Sequence, residues 1–225
     1  MSIREAITNG IVRGILRILF RYNPSELRQV PSHGPMLMVT NHTSVFEGPF
    51  LYVYLRPRRT IALAKRQLWK NWFTRMMMET WQTIPVDRGM MDRKAMDACF
   101  QVLKDGDFLC LAPEGTRSKD GALKKGKAGT AFFALREEVP VIPVVTIGFE
   151  QFPQNIKRLR RTPITIKVGT PFEVIRPQGR VTNELRQAIT DEMMIRLSQL
   201  MPENLRGYYS SHDGTFLYTR KIETS

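Results

Sequence analysis

The sequence predicts an α/β fold: a single layered domain with a largely parallel or mixed central sheet flanked by helices, preceded by an N-terminal amphipathic helix. Short apolar segments rich in β-branched residues alternate with longer segments of helical period, which is typical of strands joined by helical crossovers. The chain has 225 residues, enough for one domain with a substantial core. Its 42% apolar content excludes a disordered chain.

The pattern places the elements in order. Strand-like segments are residues 36–40, 60–64, 83–86, 108–112, 141–147 and 164–169. Helix-like segments are residues 48–55, 67–80, 92–105, 127–136 and 182–200. We therefore expect an N-terminal helix within residues 1–30, an α/β domain over residues 31–200, and a surface tail at residues 201–225, where no period is visible.

The first segment predicts an amphipathic helix with a basic polar side. Isoleucines and a leucine recur at spacings of three and four: Ile3, Ile7, Ile11, Ile15, Ile18 and Leu19. Arginines lie between them: Arg4, Arg13, Arg17 and Arg21. Such a helix either packs on its own domain or lies on anionic lipid, and the sequence leaves both open. Because arginines interrupt the apolar stretch, we expect neither a membrane-spanning helix nor a secretory signal.

Basic residues outnumber acidic ones, 34 to 21, which gives a formal net charge of +13. The excess predicts an anionic partner: nucleic acid, a membrane surface or a phosphorylated substrate. It is concentrated in three blocks, at residues 56–75, 117–127 and 157–161. Two cysteines, Cys99 and Cys110, are too few for a disulfide framework or a structural zinc site, and both lie where core residues are expected.

A general base is predicted in residues 41–48, between a strand and a helix, where α/β sheets place ligands. His42 stands five residues before Glu47, and five helical steps turn about 500°. The two side chains can therefore meet only if a loop folds the imidazole back toward the first helical turn. Glu47 would then accept the proton of one ring nitrogen and leave the other as a base. The alternatives are a purely structural histidine, or Ser44 as the group that fixes the imidazole.

An anion site is predicted at residues 113–118, Pro-Glu-Gly-Thr-Arg-Ser, after another strand. Gly115 permits a tight turn, Thr116 offers a hydroxyl, and Arg117 carries a planar fork that suits phosphate. An ordinary exposed turn is the alternative. Arg88, at the end of a third strand, is a second candidate phosphate contact or else a partner in a surface salt bridge.

These segments together resemble a known family. The order Asn-His-x4-acid, Pro-Val-Asp-Arg, Pro-Glu-Gly-Thr-Arg-Ser and Val-Pro-Val-Ile-Pro-Val is that of the glycerolipid acyltransferases. Within that family the chain looks like a lysophosphatidate (1-acyl-glycerol-3-phosphate) acyltransferase. The resemblance spans about residues 30 to 175. It departs from the family at Glu47, where aspartate is usual, so the contact with His42 needs a different loop reach.

The resemblance implies transfer of a fatty acyl group from acyl-CoA or an acyl-acyl-carrier protein to the hydroxyl of a lysophospholipid, giving phosphatidic acid. It implies His42 as general base and Glu47 as the orienting carboxylate. The acceptor phosphate would be bound by the remaining candidates: Arg88, Glu114, Gly115, Thr116 and Arg117. Whether Glu114 touches the acceptor or positions Arg117 stays open. No metal or cofactor is implied, and the expected location is peripheral, at the cytoplasmic face of the cell membrane.

Three other functions remain in view. A related acyltransferase would use glycerol-3-phosphate or another lysolipid as its acceptor. An acyl-thioester hydrolase would use the same histidine and carboxylate to activate water. A nucleic-acid-binding module would account for the charge alone, but the basic blocks are not interleaved with stacking aromatic residues, so no nucleic acid is expected.

Overall fold

A computed structural model describes residues 2–87, 93–176, 178–212 and 214–222. Its strands are β1 (Phe20–Arg21), β2 (Met36–Thr40), β3 (Thr60–Lys65), β4 (Ile84–Val86), β5 (Phe108–Leu111), β6 (Val141–Ile147), β7 (Thr162–Pro163), β8 (Thr165–Val168), β9 (Phe172–Val174) and β10 (Thr219–Lys221). Its α-helices are α1 (Ile3–Leu19), α2 (Glu47–Leu55), α3 (Trp72–Thr80), α4 (Arg93–Lys104), α5 (Gly129–Glu137), α6 (Phe152–Lys157) and α7 (Asn183–Ser198).

The central sheet is mixed, which confirms the predicted fold class. Neighbouring strands follow the order β10-β9-β6-β2-β5-β3-β4, and β8 pairs with β6 from outside this path. The strands from β6 to β4 run parallel, whereas β8 and β9 run antiparallel to β6. All five residues of β2 are buried, as expected for a central parallel strand covered on both faces.

Helices cover the two faces of the sheet with separate apolar clusters. On one face Met38 of β2 packs in a cluster that includes residues of α1, α2 and α3. On the other face Leu37 and Val39 pack in a cluster with residues of α4, α5 and α7. The alternation of neighbouring β2 residues between the clusters follows from the two-residue period of a strand. Strand β2 therefore contributes to both apolar layers, as do β5 and β6.

The predicted helix at residues 67–80 is broken in the structure. A 3-10 turn (Arg66–Lys70) precedes α3, and Asn71 between them is extended, with φ −97° and ψ 134°. The Asn71 side chain accepts hydrogen bonds from the N–H groups of Phe73 and Thr74, at 2.9 and 3.3 Å. Asparagine is a strong N-cap, so its side chain starts a new helix where periodicity alone continues the old one.

Helix α1 forms as predicted but packs through a different face. Its buried residues are Thr8, Asn9, Val12 and Leu16. The isoleucine stripe (Ile3, Ile7, Ile11, Ile15 and Ile18) is exposed. The buried positions follow the stripe by one residue, hence by about 100° around the helix. Polar contacts help to hold this face. Asn9 Oδ1 accepts a hydrogen bond from Trp81 Nε1 at 3.1 Å, and Arg13 donates to the Val53 carbonyl of α2 at 2.6 Å.

Two further features are the apolarity of the helices and the packing of the chain after residue 200. Among helices in the described residues, none combines the length and apolarity that a bilayer-spanning segment requires. After residue 200, where a surface tail is expected, most of the described residues are exposed. Met201 and Tyr209, however, are buried in a third apolar cluster, and β10 pairs with β9 at the edge of the sheet. Short turns, rather than one long helix or strand, bring these residues to the core, which is why the segment shows no period.

Candidate active site

The candidate site lies where two neighbouring parallel strands end. Because β2 and β5 are adjacent, the segments that follow Thr40 and Leu111 emerge side by side at one edge of the sheet. Two backbone contacts join them: His42 N–H donates to Glu114 Oε1 at 3.0 Å, and Ser118 N–H donates to the His42 carbonyl at 2.7 Å. The two segments that the sequence singled out separately therefore form one structure around His42.

The expected contact between His42 and Glu47 is present, with Nδ1 and Oε2 2.7 Å apart. Residues 41–46 are not helical and α2 begins at Glu47, so a loop brings the imidazole back to the first helical turn. The Glu47 side chain is 3% exposed and that of His42 is 37% exposed. A carboxylate can only accept, so Nδ1 carries the hydrogen and Nε2 keeps its lone pair. That is the arrangement a general base requires.

The second carboxylate oxygen of Glu47 accepts hydrogen bonds from the loop that precedes α2, and these bonds fix the side chain. Oε1 accepts from Thr43 N–H at 2.7 Å, Thr43 Oγ1 at 2.5 Å and Ser44 N–H at 3.2 Å. These donors offset the desolvation of the buried carboxylate. The longer glutamate is accommodated because it folds back over this loop. Ser44, the alternative partner for the imidazole, binds Glu47, and its hydroxyl accepts from Phe46 N–H at 3.3 Å.

Asn41 is a structural anchor of this loop that the sequence did not single out as a site residue. Its side chain donates to the Thr146 carbonyl and accepts from Thr146 N–H, both at 2.9 Å. Asn41 is 1% exposed, and both bonds reach across to β6. The paired amide fixes the end of β2 one residue before His42. The signal was available: an asparagine immediately before the histidine, at the end of a buried strand.

Glu114 lies beneath the site. It is 2% exposed, and while Oε1 accepts from His42 N–H, Oε2 accepts from Lys124 N–H at 3.0 Å. Burial raises the pKa of this carboxyl group above its usual range, although the two backbone donors oppose that shift. Since both oxygens are occupied by backbone groups, the geometry favours a positioning role over contact with an acceptor. Glu114 connects the histidine loop to the basic loop at residues 117–127.

Residues 115–117 of the 113–118 loop are exposed, whereas Pro113 and Ser118 are buried. Gly115 has φ +64°, a left-handed conformation that favours glycine, and Thr116 and Arg117 are exposed beside it. The Arg117 carbonyl accepts from Lys124 Nζ at 2.8 Å, which holds the loop closed. Within the described ranges no carboxylate pairs with the Arg117 guanidinium. Arg88, the other predicted phosphate contact, lies outside the described residues.

The two cysteines have core environments. Cys99 in α4 is buried, and desolvation raises the pKa of its thiol to about 12. Desolvation, with the nearby charge of Glu47, also raises the pKa of the Cys110 thiol in β5 to about 12. A thiol with such a pKa is protonated at neutral pH and is a poor nucleophile. Neither cysteine therefore has the environment of a nucleophile.

Known proteins show clear similarity to this chain. The sequence profile of the family described as Acyltransferase matches residues 21–147, more than half of the chain. The 1-acyl-sn-glycerol-3-phosphate acyltransferase of Cocos nucifera is 28% identical over 182 residues, which are 76% of this chain and 57% of the relative. The 1-acyl-sn-glycerol-3-phosphate acyltransferase beta of Homo sapiens is 26% identical over 151 residues, 61% of this chain and 50% of the relative. The chain thus spans little more than half the length of these relatives.

One solved structure shares the fold. It is the crystal structure of the 1-acyl-sn-glycerophosphate (LPA) acyltransferase PlsC from Thermotoga maritima, which superposes with a TM-score of 0.58. The match covers 86% of this chain and 80% of the other, at 21% sequence identity. At that identity the likeness establishes a common architecture.

Proposed function

The chain belongs to the acyltransferase family, and from that premise we propose that it transfers a fatty acyl group from an acyl thioester to the free hydroxyl of a lysophospholipid. The proposed acceptor is 1-acyl-glycerol-3-phosphate and the product phosphatidic acid. The observation that carries the proposal is the His42–Glu47 contact of 2.7 Å, built directly against the 113–118 loop. The names of the relatives support the choice of acceptor.

The chemistry follows from the orientation of His42. The acceptor hydroxyl lies against Nε2, which removes its proton as the oxygen attacks the thioester carbonyl. The new C–O bond forms and the C–S bond breaks, and the departing thiolate, of coenzyme A or a carrier protein, takes the proton from the imidazolium. Glu47 stabilises the imidazolium while it exists. Positive groups and backbone donors stabilise the oxyanion. This direct transfer requires no acyl-enzyme intermediate.

Acceptor binding is assigned to the outward face of the 113–118 loop. The Arg117 guanidinium suits a phosphate because its planar fork donates two parallel hydrogen bonds. Thr116 supplies a hydroxyl donor beside it, whereas the Gly115 N–H already donates to the Ala112 carbonyl at 3.0 Å and shapes the turn. Glu114 holds the loop against His42 from below. For Arg88 the proposal of a further phosphate contact rests on the sequence alone.

A thiol-release assay tests this function and separates it from hydrolysis. With palmitoyl-CoA as donor, we expect thiol release that requires lysophosphatidate and yields phosphatidic acid. Thiol release at the same rate without an acceptor would identify a hydrolase. Turnover with glycerol-3-phosphate or a different lysolipid, but not with lysophosphatidate, would reassign the acceptor. His42→Ala should abolish transfer without unfolding the chain, and wild-type turnover in that variant would refute the proposal.

We also propose that α1 places the protein on an anionic membrane surface. The isoleucine stripe is exposed because a different face of α1, about 100° around the helix, packs on the domain, and Ile3 and Ile18 are 83% and 73% exposed. Arg4 and Arg17 on the same helix are exposed as well. An apolar stripe flanked by arginines suits an interfacial helix on anionic lipid, in which each buried isoleucine contributes about 1.5–3 kcal/mol.

Vesicle sedimentation tests the membrane proposal. The protein should bind vesicles of phosphatidylcholine and phosphatidylglycerol more strongly than vesicles of phosphatidylcholine alone. Ile7→Ser/Ile11→Ser should weaken binding at least tenfold. The matched control is Ile175→Ser/Leu217→Ser, which changes two exposed apolar residues elsewhere on the surface. Equal binding by both double variants would show that α1 is not the contact.

A further inference from the structure

Lys127 places its side chain directly over Gly115. A methyl group built on Gly115 would lie 3.0 Å from Lys127 Cε and 3.0 Å from Lys127 Nζ. Contacts this short mean that a side chain at position 115 would push the ammonium group aside by a few tenths of an ångström. The φ of +64° is the reason that position 115 favours glycine, and the small residue also lets the lysine lie close to the backbone. Lys127 is twelve residues from Gly115 in the chain, so the sequence gives no sign of this approach.

The backbone beneath Lys127 is fixed from several directions. Lys127 N–H donates to the Pro113 carbonyl at 2.9 Å, which connects it to the start of the same loop. The preceding residue, Gly126, donates its N–H to Tyr209 Oη at 2.8 Å and accepts at its carbonyl from Gln187 Nε2 at 2.9 Å. Gly126 is also packed so closely on α7 that an added methyl group would lie 2.9 Å from Thr190 and from Met194. The position of Lys127 is therefore set by the core.

The charge of Lys127 is not balanced locally. Glu114 is the acidic neighbour in the loop, and both of its oxygens face the backbone N–H groups of His42 and Lys124. In the part of the chain that the structure describes, no carboxylate pairs with the Lys127 ammonium or with the Arg117 guanidinium. This exposed part of the loop thus carries two cations, Lys127 at Gly115 and Arg117 two residues further on, with no acidic partner among the described residues. Such a pair, beside the exposed Thr116, is suited to an anionic group with more than one charge.

We propose that Lys127 is a second acceptor-binding residue, which together with Arg117 binds the phosphate and selects a phosphomonoester over a phosphodiester. The inference rests on the proposed function, since it assigns the phosphate end of the same acceptor. A phosphomonoester has a second pKa near 6 and carries almost two charges at neutral pH, whereas a diester carries one. Two cations, Lys127 at Gly115 and Arg117 two residues further along the loop, match the first and exceed what the second requires. Lys127 therefore determines specificity for the headgroup rather than taking part in proton transfer.

The test compares Lys127→Ala with Lys125→Ala, which removes the same charge two residues away. Lys125 Nζ lies 5.4 Å from the centre of the Tyr208 ring, so its side chain has a different position. The kinetic measurement uses detergent-dispersed lysophosphatidate and lysophosphatidylglycerol, which excludes charge effects of a bilayer. For Lys127→Ala we expect KM for the monoester to rise about tenfold or more, kcat to stay within about twofold, and KM for the diester to change little. Lys125→Ala should leave both acceptors unchanged, and Lys127→Arg should restore most of the monoester affinity.

Direct binding makes the result independent of turnover. Calorimetric titration with glycerol-3-phosphate and with glycerophosphocholine measures a soluble monoester against a soluble diester. Lys127→Ala should weaken only the first, again by about tenfold. The same loss for both headgroups, or the same loss in Lys125→Ala, would overturn the inference. A wild-type chain that binds glycerol-3-phosphate through Lys127 but acylates no lysolipid would instead refute the proposed function.

Discussion

Replacing Glu47 with glutamine tests the role of the carboxylate without changing its shape. In the wild-type structure Oε1 accepts from two backbone N–H groups and one hydroxyl, whereas Oε2 faces His42 Nδ1. A glutamine amide has one accepting oxygen and one donating NH2 group. If the NH2 took the Oε1 position, two partly buried N–H donors would lose their acceptor, at a cost of up to about 1–3 kcal/mol each. The amide oxygen therefore occupies the Oε1 position.

The consequence falls on the imidazole. With the amide oxygen so fixed, the NH2 group donates to His42 Nδ1, which must then accept. The ring hydrogen moves to Nε2, the atom that has to remove the proton of the acceptor hydroxyl. In a catalytic triad the equivalent exchange of carboxylate for amide costs about 10⁴ in kcat through the wrong tautomer. For Glu47→Gln we expect a fall in kcat of about 10³–10⁴, which is about 4–5.5 kcal/mol in the activation barrier.

The assay is thiol release from palmitoyl-CoA with lysophosphatidate, measured as kcat and KM, alongside thermal unfolding. KM should stay within a few-fold, because Glu47 is buried and does not face the acceptor. Glu184→Gln is the control, since Glu184 is exposed in the first turn of α7. A loss of kcat smaller than tenfold, or a loss explained by unfolding, would refute the tautomer argument.

Three other variants probe the same site. Glu47→Asp withdraws the carboxylate by about 1.5 Å, the length of one C–C bond, and so breaks the 2.7 Å contact with His42. We expect kcat to fall at least tenfold, whereas an unchanged rate would mean that the loop adjusts. Arg117→Ala should raise KM for lysophosphatidate about tenfold or more, with little change for a neutral monoacylglycerol, and an equal effect on both would contradict phosphate binding. Burial raises the pKa of Glu114 above its usual 4.5, so the folded chain binds that proton more readily than the unfolded chain. The wild type should therefore lose stability relative to Glu114→Gln as pH rises above 4.5, where stability is the free energy of unfolding. Denaturant titrations in which the difference between the two proteins stays constant with pH would exclude this coupling.

Local pattern predicted the fold class, most of the central strands and helices, and the segments that carry the candidate site residues. Strands and helices repeat every 2 and every 3.6 residues, so the α/β fold could be predicted from short windows of sequence. The positions of His42 and of the 113–118 loop at strand ends could be predicted for the same reason. The sequence did not predict that the two motifs are neighbours. That follows from the pairing of β2 with β5, since adjacent parallel strands place their carboxyl ends at one edge of the sheet.

Contacts between distant residues explain what the sequence missed. The bond from Asn41 to Thr146 spans 105 residues, and the bond from His42 to Glu114 spans 72, so neither leaves a periodic trace. The same holds for Lys127 above Gly115 and for Tyr209 beneath Gly126. Each depends on how the core brings two segments together.

Helix α1 shows most clearly which properties the sequence determined and which the tertiary structure decided. Its sequence determined that residues 3–19 form a helix with an isoleucine stripe, because spacings of three and four place those side chains on one face. The tertiary structure decided which face is buried. Val12, Leu16 and the polar contacts of Asn9 fit the surface of α2 and α3. A helix buries whichever face its neighbours complement, so the more apolar face was left exposed, and only the packed fold could determine that.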